Sequence, residues 1–420
     1  RVAWLREFLR LPFCAARCQQ AMALKRKLSS ATLRDLVEEQ TNQQNDPQST
    51  PLELANRRVK IIATLGPACW DDDKLDALLR VGVNIFRLNS AHRRDGQFEA
   101  LVPRVRAAAE RVLGREGANK VKVMADLQGV KYRCAEVDAA FPDGVPLAAG
   151  ETVTLALASE ADKEAVCKKG HIVLARTRDQ IDMVTSLQED MKLLLDDATM
   201  RLRVVKVDTP ESKTCKVEVG GNLKPRKGIN VPGLDRKGPG LTDKDMEDLE
   251  CLLNCGVDII AMSFVEKPAD VEEVREAMKR MRPTADAVFP KVFAKIEKPQ
   301  AITNIDDILK ASDGAMVERG DLGSEFGNPL AVPFYQKLTL KKARQHGVFC
   351  IVATQLIEHM IRHLTPRCAE VGDVANAVFD GADAVMLSGE TAMGVDPVNC
   401  VKTFRAIVDE ADEKRYMFLL

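Results

Sequence analysis

The chain has 420 residues, with 61 Lys and Arg against 62 Asp and Glu, a formal net charge of −1, 45% hydrophobic and 29% charged residues. Those proportions exclude a disordered, collagen-like or disulfide mini-scaffold class, and the even charge gives nucleic acid no basic footprint to bind. No stretch approaches the roughly 18 consecutive apolar residues of a bilayer span, so neither a membrane nor a nucleic acid is expected as a partner.

The first 34 residues carry eight basic side chains (Arg1, Arg6, Arg10, Arg17, Lys25, Arg26, Lys27, Arg34) and one acid, Glu7, between Trp4, Leu5, Phe8, Leu9 and Phe13. This pattern is read either as an organelle transit segment, for a plastid or mitochondrion, or as an ordinary amphipathic helix of a cytoplasmic protein. Residues 35–55 are polar and poor in large apolar groups and read as linker. The eleven scattered cysteines predict reduced thiols in a cytosol-like compartment. Cys251 and Cys255 stand four apart, but a CxxxC pair alone is weak support for zinc, and core packing on a helix is the ordinary reading. His359 and His363 have helical spacing too, yet Glu358 precedes the first His where a zinc-protease motif has Glu after it, so zinc is not expected there.

From residue 57 the chain repeats a unit: a short β-branched apolar run, a polar or glycine punctuation, then a helical pattern. Eight such runs follow in order, 59–66, 83–89, 121–129, 257–264, 290–297, 314–321, 348–355 and 382–390. Helices between them are signalled by Asp71 before KLDALLRVG, by Thr242 with Asp245 three residues on, and by the periodic DVEEVREAMKRM. The alternation predicts an α/β fold, a closed (β/α)8 TIM barrel of about 250 residues. Its length closes only if 57–132 and 227–420 form the barrel and 133–226 is set aside. That segment reads as short alternating strands with turn residues between them, a small all-β domain inserted after strand 3 and placed as a lid. Residues 1–56 are then an N-terminal extension.

Barrel chemistry sits at the C-terminal ends of the strands. The polar residues expected there are Arg87, Asn89, Asp126, Ser263, Lys295, Glu297, Asp321, Thr354, Ser388 and Glu390. Lys295 and Glu297 share one side of their strand, the inward side of a barrel. Glu297 and Asp321, from neighbouring strands, can each give an oxygen to Mg²⁺ beside the lysine, a set suited to neutralising a migrating phosphoryl group. No GxxxxGK[ST] loop occurs, so nucleotide binding cannot rest on that mechanism.

The motifs KIIATLGPA, NIFRLN, MADLQG, RKGINVPG, LTDKDMEDL, MSFV, AKIE, RGDLGSEF, VATQ and DVANAVFDGADAVMLSGETAMG resemble those of the pyruvate kinase family over residues 57–412. The resemblance implies a glycolytic transferase that moves the phosphoryl group of phosphoenolpyruvate to ADP, giving pyruvate and ATP with Mg²⁺, for which Mn²⁺ can substitute. By motif it implies that Arg87 holds the phosphate and Lys295 stabilises the phosphoryl group as it leaves. It assigns Mg²⁺ to Glu297 and Asp321, and the substrate carboxylate to Gly320 and Asp321. Thr354 falls where the enolate is protonated, and the nucleotide side comprises Asn89, His92, Arg133 and Lys227, with Asp197 reaching in from the lid.

The chain also departs from the family's pattern. K⁺-using members have Ser two residues after the Asn and Asp-Thr in the strand 3 motif; Ala91 and Leu127 stand there, leaving Asn89 and Asp126 as the matching ligands. Lys131 offers a fixed ammonium instead, so K⁺-independent activity is expected. Glu318 takes the place of an Ala, Arg367 and Cys368 replace Arg and Thr, and Val130 and Ala198 replace Pro and Gly. The sequence ends at Leu420, without the family's C-terminal regulatory domain, so a homo-oligomer through the barrel and no sugar-phosphate activation are expected. A catalytically impaired relative with a regulatory or binding role is the competing expectation, and a Mg²⁺-dependent barrel lyase a third.

Overall fold

The computed structural model describes residues 57–161, 165–284 and 286–415; the segments read above as transit or amphipathic helix and as linker lie outside them. The first three barrel strands are β1 (Lys60–Thr64), β2 (Ile85–Asn89) and β3 (Lys122–Asp126), with helices α1 (Asp72–Arg80) and α2 (Gln97–Ala118) between them. An all-β segment follows, with strands β4 (Tyr132–Arg133), β5 (Val145–Leu147), β6 (Thr152–Leu157), β7 (His171–Leu174), β8 (Lys192–Leu195), β9 (Met200–Thr209), β10 (Ser212–Val219), β11 (Gly221–Leu223) and β12 (Gly228–Asn230) and one helix, α3 (Arg178–Ser186). The barrel resumes with α4 (Asp243–Cys255), β13 (Ile259–Met262), α5 (Pro268–Met281), β14 (Lys291–Ile296), α6 (Pro299–Thr303), α7 (Ile305–Ala311) and β15 (Gly314–Glu318). It finishes with α8 (Arg319–Phe326), α9 (Val332–His346), β16 (Phe349–Ala353), α10 (Cys368–Asp380), β17 (Ala384–Leu387), α11 (Gly389–Ala392) and α12 (Pro397–Lys414).

All eight expected runs become strands, and they close in the order β1-β17-β16-β15-β14-β13-β3-β2, every neighbouring pair parallel. The capping signals act where the sequence has them. Thr242 accepts from the Asp245 N–H while the Asp245 carboxylate accepts from the Thr242 N–H, so α4 starts with a reciprocal cap. Asp71 precedes α1 without a side-chain cap bond.

Two apolar layers hold the barrel. An outer cluster joins strand faces such as Ile61, Val123 and Val317 to helix residues such as Leu75, Leu252 and Val378. An inner plug of Ile62, Ile85, Met124, Ala261, Phe293, Met316 and Ile351 fills the lumen. Because strand side chains alternate, the next inward positions above this plug are Thr64, Arg87, Asp126, Ser263, Lys295 and Glu318. These six are buried. The second sheet has its own core, including Leu155, Leu195, Leu202 and Val217. This second sheet has seven strands in the order β4-β12-β8-β9-β10-β6-β7, nearly closed by a bridge between Cys134 and Leu174, while β5 and β11 pair beside it as a separate antiparallel ribbon. Both of its connections to the barrel leave from the strand-end mouth, after β3 and before α4.

Candidate active site

The ring above the plug is an ionic cluster in a low-dielectric wall. The Lys295 ammonium donates to Ser263 Oγ at 2.9 Å and lies 3.3 Å from Glu297 Oε2, 3.7 Å from Asp126 and 3.7 Å from Glu318. Burial by itself would lower its pKa, but Glu297, Glu318, Asp126 and Asp321 outweigh that and hold it well above the ordinary lysine value, so the charge is permanent. Arg87 donates to Thr64 Oγ1 at 3.1 Å and to Asp126 Oδ2 at 2.7 Å, leaving Nε without an acceptor among the described residues. Burial pushes Asp126 upward, and Arg87 and Lys295 more than reverse it, keeping this carboxyl ionised.

Glu297 is completely buried; Oε1 accepts the Phe264 N–H, while Oε2 takes no hydrogen bond from the described residues. Burial first, eased by Lys295 and then worsened by Asp321 and Glu318, pushes its pKa up to about 8. Asp321, in the first turn of α8, gives Oδ1 to Lys131 Nζ at 2.7 Å. The site thus gathers four carboxylates, Asp126, Glu297, Glu318 and Asp321, around three fixed cations, Arg87, Lys131 and Lys295. A deficit of positive charge, an orphaned buried carboxylate oxygen and hard oxygen donors fit a divalent cation held by Glu297 and Asp321.

Thr354 follows β16 at φ 63°, a conformation a β-branched residue rarely adopts, and Gln355 follows at φ 54°. The strained pair is clamped by Arg319, which donates to the Thr354 carbonyl at 2.8 and 3.0 Å and to the Gln355 carbonyl, and is itself held by Asp373 at 2.8 Å. The Thr354 hydroxyl lies 2.7 Å from Glu318 Oε1 and accepts the Gly320 N–H at 3.2 Å. Glu318 therefore faces the lumen and not the barrel wall.

Two cavities sharing Lys131, Glu318, Asp321 and Thr354 open above this cluster, one of about 290 Å³ and one of about 560 Å³. Arg87, Asn89, His92, Asp126, Arg133, Lys295 and Ser388 line the smaller; Asp197 and Gly320 line the larger. Asn89 also caps the short turn that carries His92, accepting the Ala91 N–H at 3.1 Å. Three expected members line neither cavity, the first being the fully buried Glu297. Lys227 lines neither cavity and pairs at 2.6 Å with Asp196, the neighbour of Asp197. Glu390 is buried behind the strand end, where its carboxylate accepts the Ser388 N–H at 2.8 Å, an intrahelical turn contact away from the cavities. Lys131 is mostly buried against Asp321 and the Phe264 ring, 5.8 Å from the ring centre, and not free in solvent. Arg319 and Gln355 were not singled out in the sequence; the signal was present in the Arg that opens the RGDLGSEF motif.

A closed barrel with a permanent ammonium, an arginine and a carboxylate pair fit for a divalent cation at its strand ends has the makings of a phosphotransferase. The comparisons with known proteins agree. The family model described as the barrel domain of pyruvate kinase matches residues 56–401. The pyruvate kinase of Mycobacterium tuberculosis is 40% identical over 359 residues, 85% of this chain and 71% of that protein. That of Corynebacterium glutamicum is 40% identical over 364 residues, 85% and 70%, and that of Geobacillus stearothermophilus 38% over 357 residues, 84% and 56%. The chain belongs to the pyruvate kinase family, whose members use a divalent metal. Among the described residues no helix is long and apolar enough to cross a membrane.

Proposed function

We propose that the chain transfers the phosphoryl group of phosphoenolpyruvate to ADP, giving pyruvate and ATP, with Mg²⁺ and without K⁺. The observation that carries this is Lys295, buried and permanently charged, 3.3 Å from the Glu297 oxygen that accepts no hydrogen bond from the described residues. Arg87 and Lys295 bind the phosphate of the substrate from below, and their positions on β2 and β14 fix its orientation. Glu297 and Asp321 would hold Mg²⁺, or Mn²⁺ in its place, which would supply the charge that neutralises the oxygens of the migrating group. The N-terminal turn of α8, with Gly320 and Asp321, takes the carboxylate side of the substrate. Thr354 Oγ1 holds the proton that is delivered to the enolate carbon, and its strained backbone keeps that hydroxyl on the lumen side. Asn89, His92 and Arg133 receive the nucleotide at the smaller cavity, and Asp197 approaches from the second sheet. Residues 133–226 act as the lid, and Lys227, tied to Asp196, fixes the lid turn and reaches the nucleotide only through it.

Lys131 beside Asp321 supplies the positive charge that a monovalent cation would otherwise bring to this side of the cavity. We take assembly to be homo-oligomeric through the barrel, where Leu330, in the turn before α9, and Phe334, in its first turn, leave large apolar side chains exposed. The reading is tested by following pyruvate formation from phosphoenolpyruvate and ADP in the presence of Mg²⁺. The expected outcome is turnover that disappears on chelation and returns with Mg²⁺ or Mn²⁺. Absence of turnover in a folded, metal-replete protein that still binds phosphoenolpyruvate would favour the binding role instead.

A further inference from the structure

Away from the strand ends, α2 and α4 bring three ligating side chains together. Cys251 and Cys255 stand one turn apart on α4 with their sulfurs 4.0 Å from each other, and Glu99 reaches them from the first turn of α2. Both sulfurs and a Glu99 carboxylate oxygen lie within 4.8 Å of one another, the one such group of three among the described residues. We propose that Cys251, Cys255 and Glu99 form a site for a thiophilic divalent cation of the zinc and cadmium class, distinct from the strand-end Mg²⁺ site.

The geometry is near what that chemistry needs. With bonds of about 2.3 Å to sulfur and about 2.1 Å to oxygen at tetrahedral angles, sulfurs in a zinc site are separated by roughly 3.8 Å and sulfur from oxygen by roughly 3.6 Å. The observed sulfur pair must close by only a few tenths of an ångström, which side-chain rotation supplies. A water takes the fourth position. Cys251 is buried, Cys255 half-buried and Glu99 exposed, so the sulfurs are screened while the carboxylate side is open for entry. Soft thiolates favour zinc or cadmium over the Mg²⁺ that suits Glu297 and Asp321. Two thiolates and a carboxylate around a divalent ion leave one net negative charge. The Arg93 guanidinium, although paired with Asp248 at 2.6 Å, acts electrostatically on both Glu99 and Cys255 and offsets part of it.

On binding, the cation gains two sulfur bonds and one oxygen bond, and the two thiol protons leave to solvent; nothing is oxidised or reduced. The result is a staple between a helix that precedes the inserted sheet and one that follows it, joining barrel segments about 150 residues apart in sequence.

The test titrates the reduced, metal-stripped full chain with cadmium chloride alone and follows the ultraviolet thiolate-to-cadmium charge-transfer band. The expected result is saturation at one equivalent with the intensity of two sulfurs, reversal by zinc, and a raised melting temperature. Cys255→Ser, at a half-buried position that tolerates the change, removes at least half of the band. Glu99→Gln keeps the band but weakens binding by about tenfold or more, the loss typical even of outer partners of a metal. Cys368→Ser and a Cys14→Ser/Cys18→Ser variant leave the titration unchanged. A band that survives in Cys255→Ser, that vanishes in either of the last two variants, or that never saturates would overturn the proposal.

Discussion

Replacing Lys295 by Met removes the one ammonium that sits among Glu297, Asp126 and Glu318 while keeping an unbranched chain of similar length. Its catalytic share follows from Coulomb's law. A charge about 4 Å from a phosphoryl oxygen, at the effective dielectric of about 20 that suits such sites, is worth about 4 kcal/mol. That corresponds to roughly 10³ in rate. Because three carboxylates already lie within 3.7 Å of the ammonium, part of the field is spent on them. The expected loss in kcat is therefore about 10²–10³, the range found when single preorganised donors are removed, with the KM for phosphoenolpyruvate changed much less. Stability falls as well, by up to about 3–5 kcal/mol, since the carboxylates lose a buried partner; protonation of Glu297, already pushed up to about 8, absorbs part of that. Pyruvate formation is measured with a lactate dehydrogenase couple well below the variant's melting temperature, with Lys295→Arg as a charge-retaining companion. A folded Lys295→Met protein within about tenfold of the parent kcat would refute both the role of the ammonium and the location of the site.

Asp126→Asn breaks the Arg87 pair and should destabilise by about 3 kcal/mol near neutral pH. The native Asp126 carboxyl is held below its ordinary value of 3.8, so its stabilisation is present above that value and lost as pH falls through the native pKa. The deficit of the variant in urea melts must then narrow below pH 3.8; a deficit that stays constant there contradicts the pairing. Ala198 closes a run of three left-handed residues, Asp196, Asp197 and Ala198, at φ 51°, 53° and 66°. Ala198→Gly relieves about 1 kcal/mol of strain and should raise the melting temperature by about 1–2 °C in a calorimetric scan; a lowered value would show that the turn is unstrained. Rates in K⁺ and in tetramethylammonium should agree within about twofold, because Lys131 already neutralises Asp321, and a manyfold K⁺ response would refute that role.

The barrel was legible because parallel strands buried on both faces are written as near-continuous apolar runs, and seven of the eight end in a polar or glycine residue at the mouth, the run that closes on Phe264 being the exception. The same continuity hides which face of a strand points inward. In GAMVE the residues before Glu318 are apolar on both faces of the strand, so nothing local decides between lumen and wall. The inner plug decides it: Met316 fills the lumen beneath Glu318 as Phe293 does beneath Lys295. The partner of Lys227 was hidden in another way, because the left-handed turn that presents Asp196 to it comes from a segment about thirty residues away. Long-range ionic contacts leave no period at all. Lys298 lies 3.0 Å from Glu266 and 3.6 Å from Glu325, Asn230 donates to Glu325 at 2.7 Å, and Arg236 pairs with Asp270 at 2.6 Å, all of them buried or nearly so. These groups lie where the chain returns from the second sheet to the barrel. Asn230 belongs to β12 of that sheet, and Glu325 to α8, whose first turn carries Asp321. One buried hydrogen bond therefore ties the stem of the inserted sheet to the helix that offers the acid, so a displacement of the stem strains a contact on that helix at high cost in a dry environment.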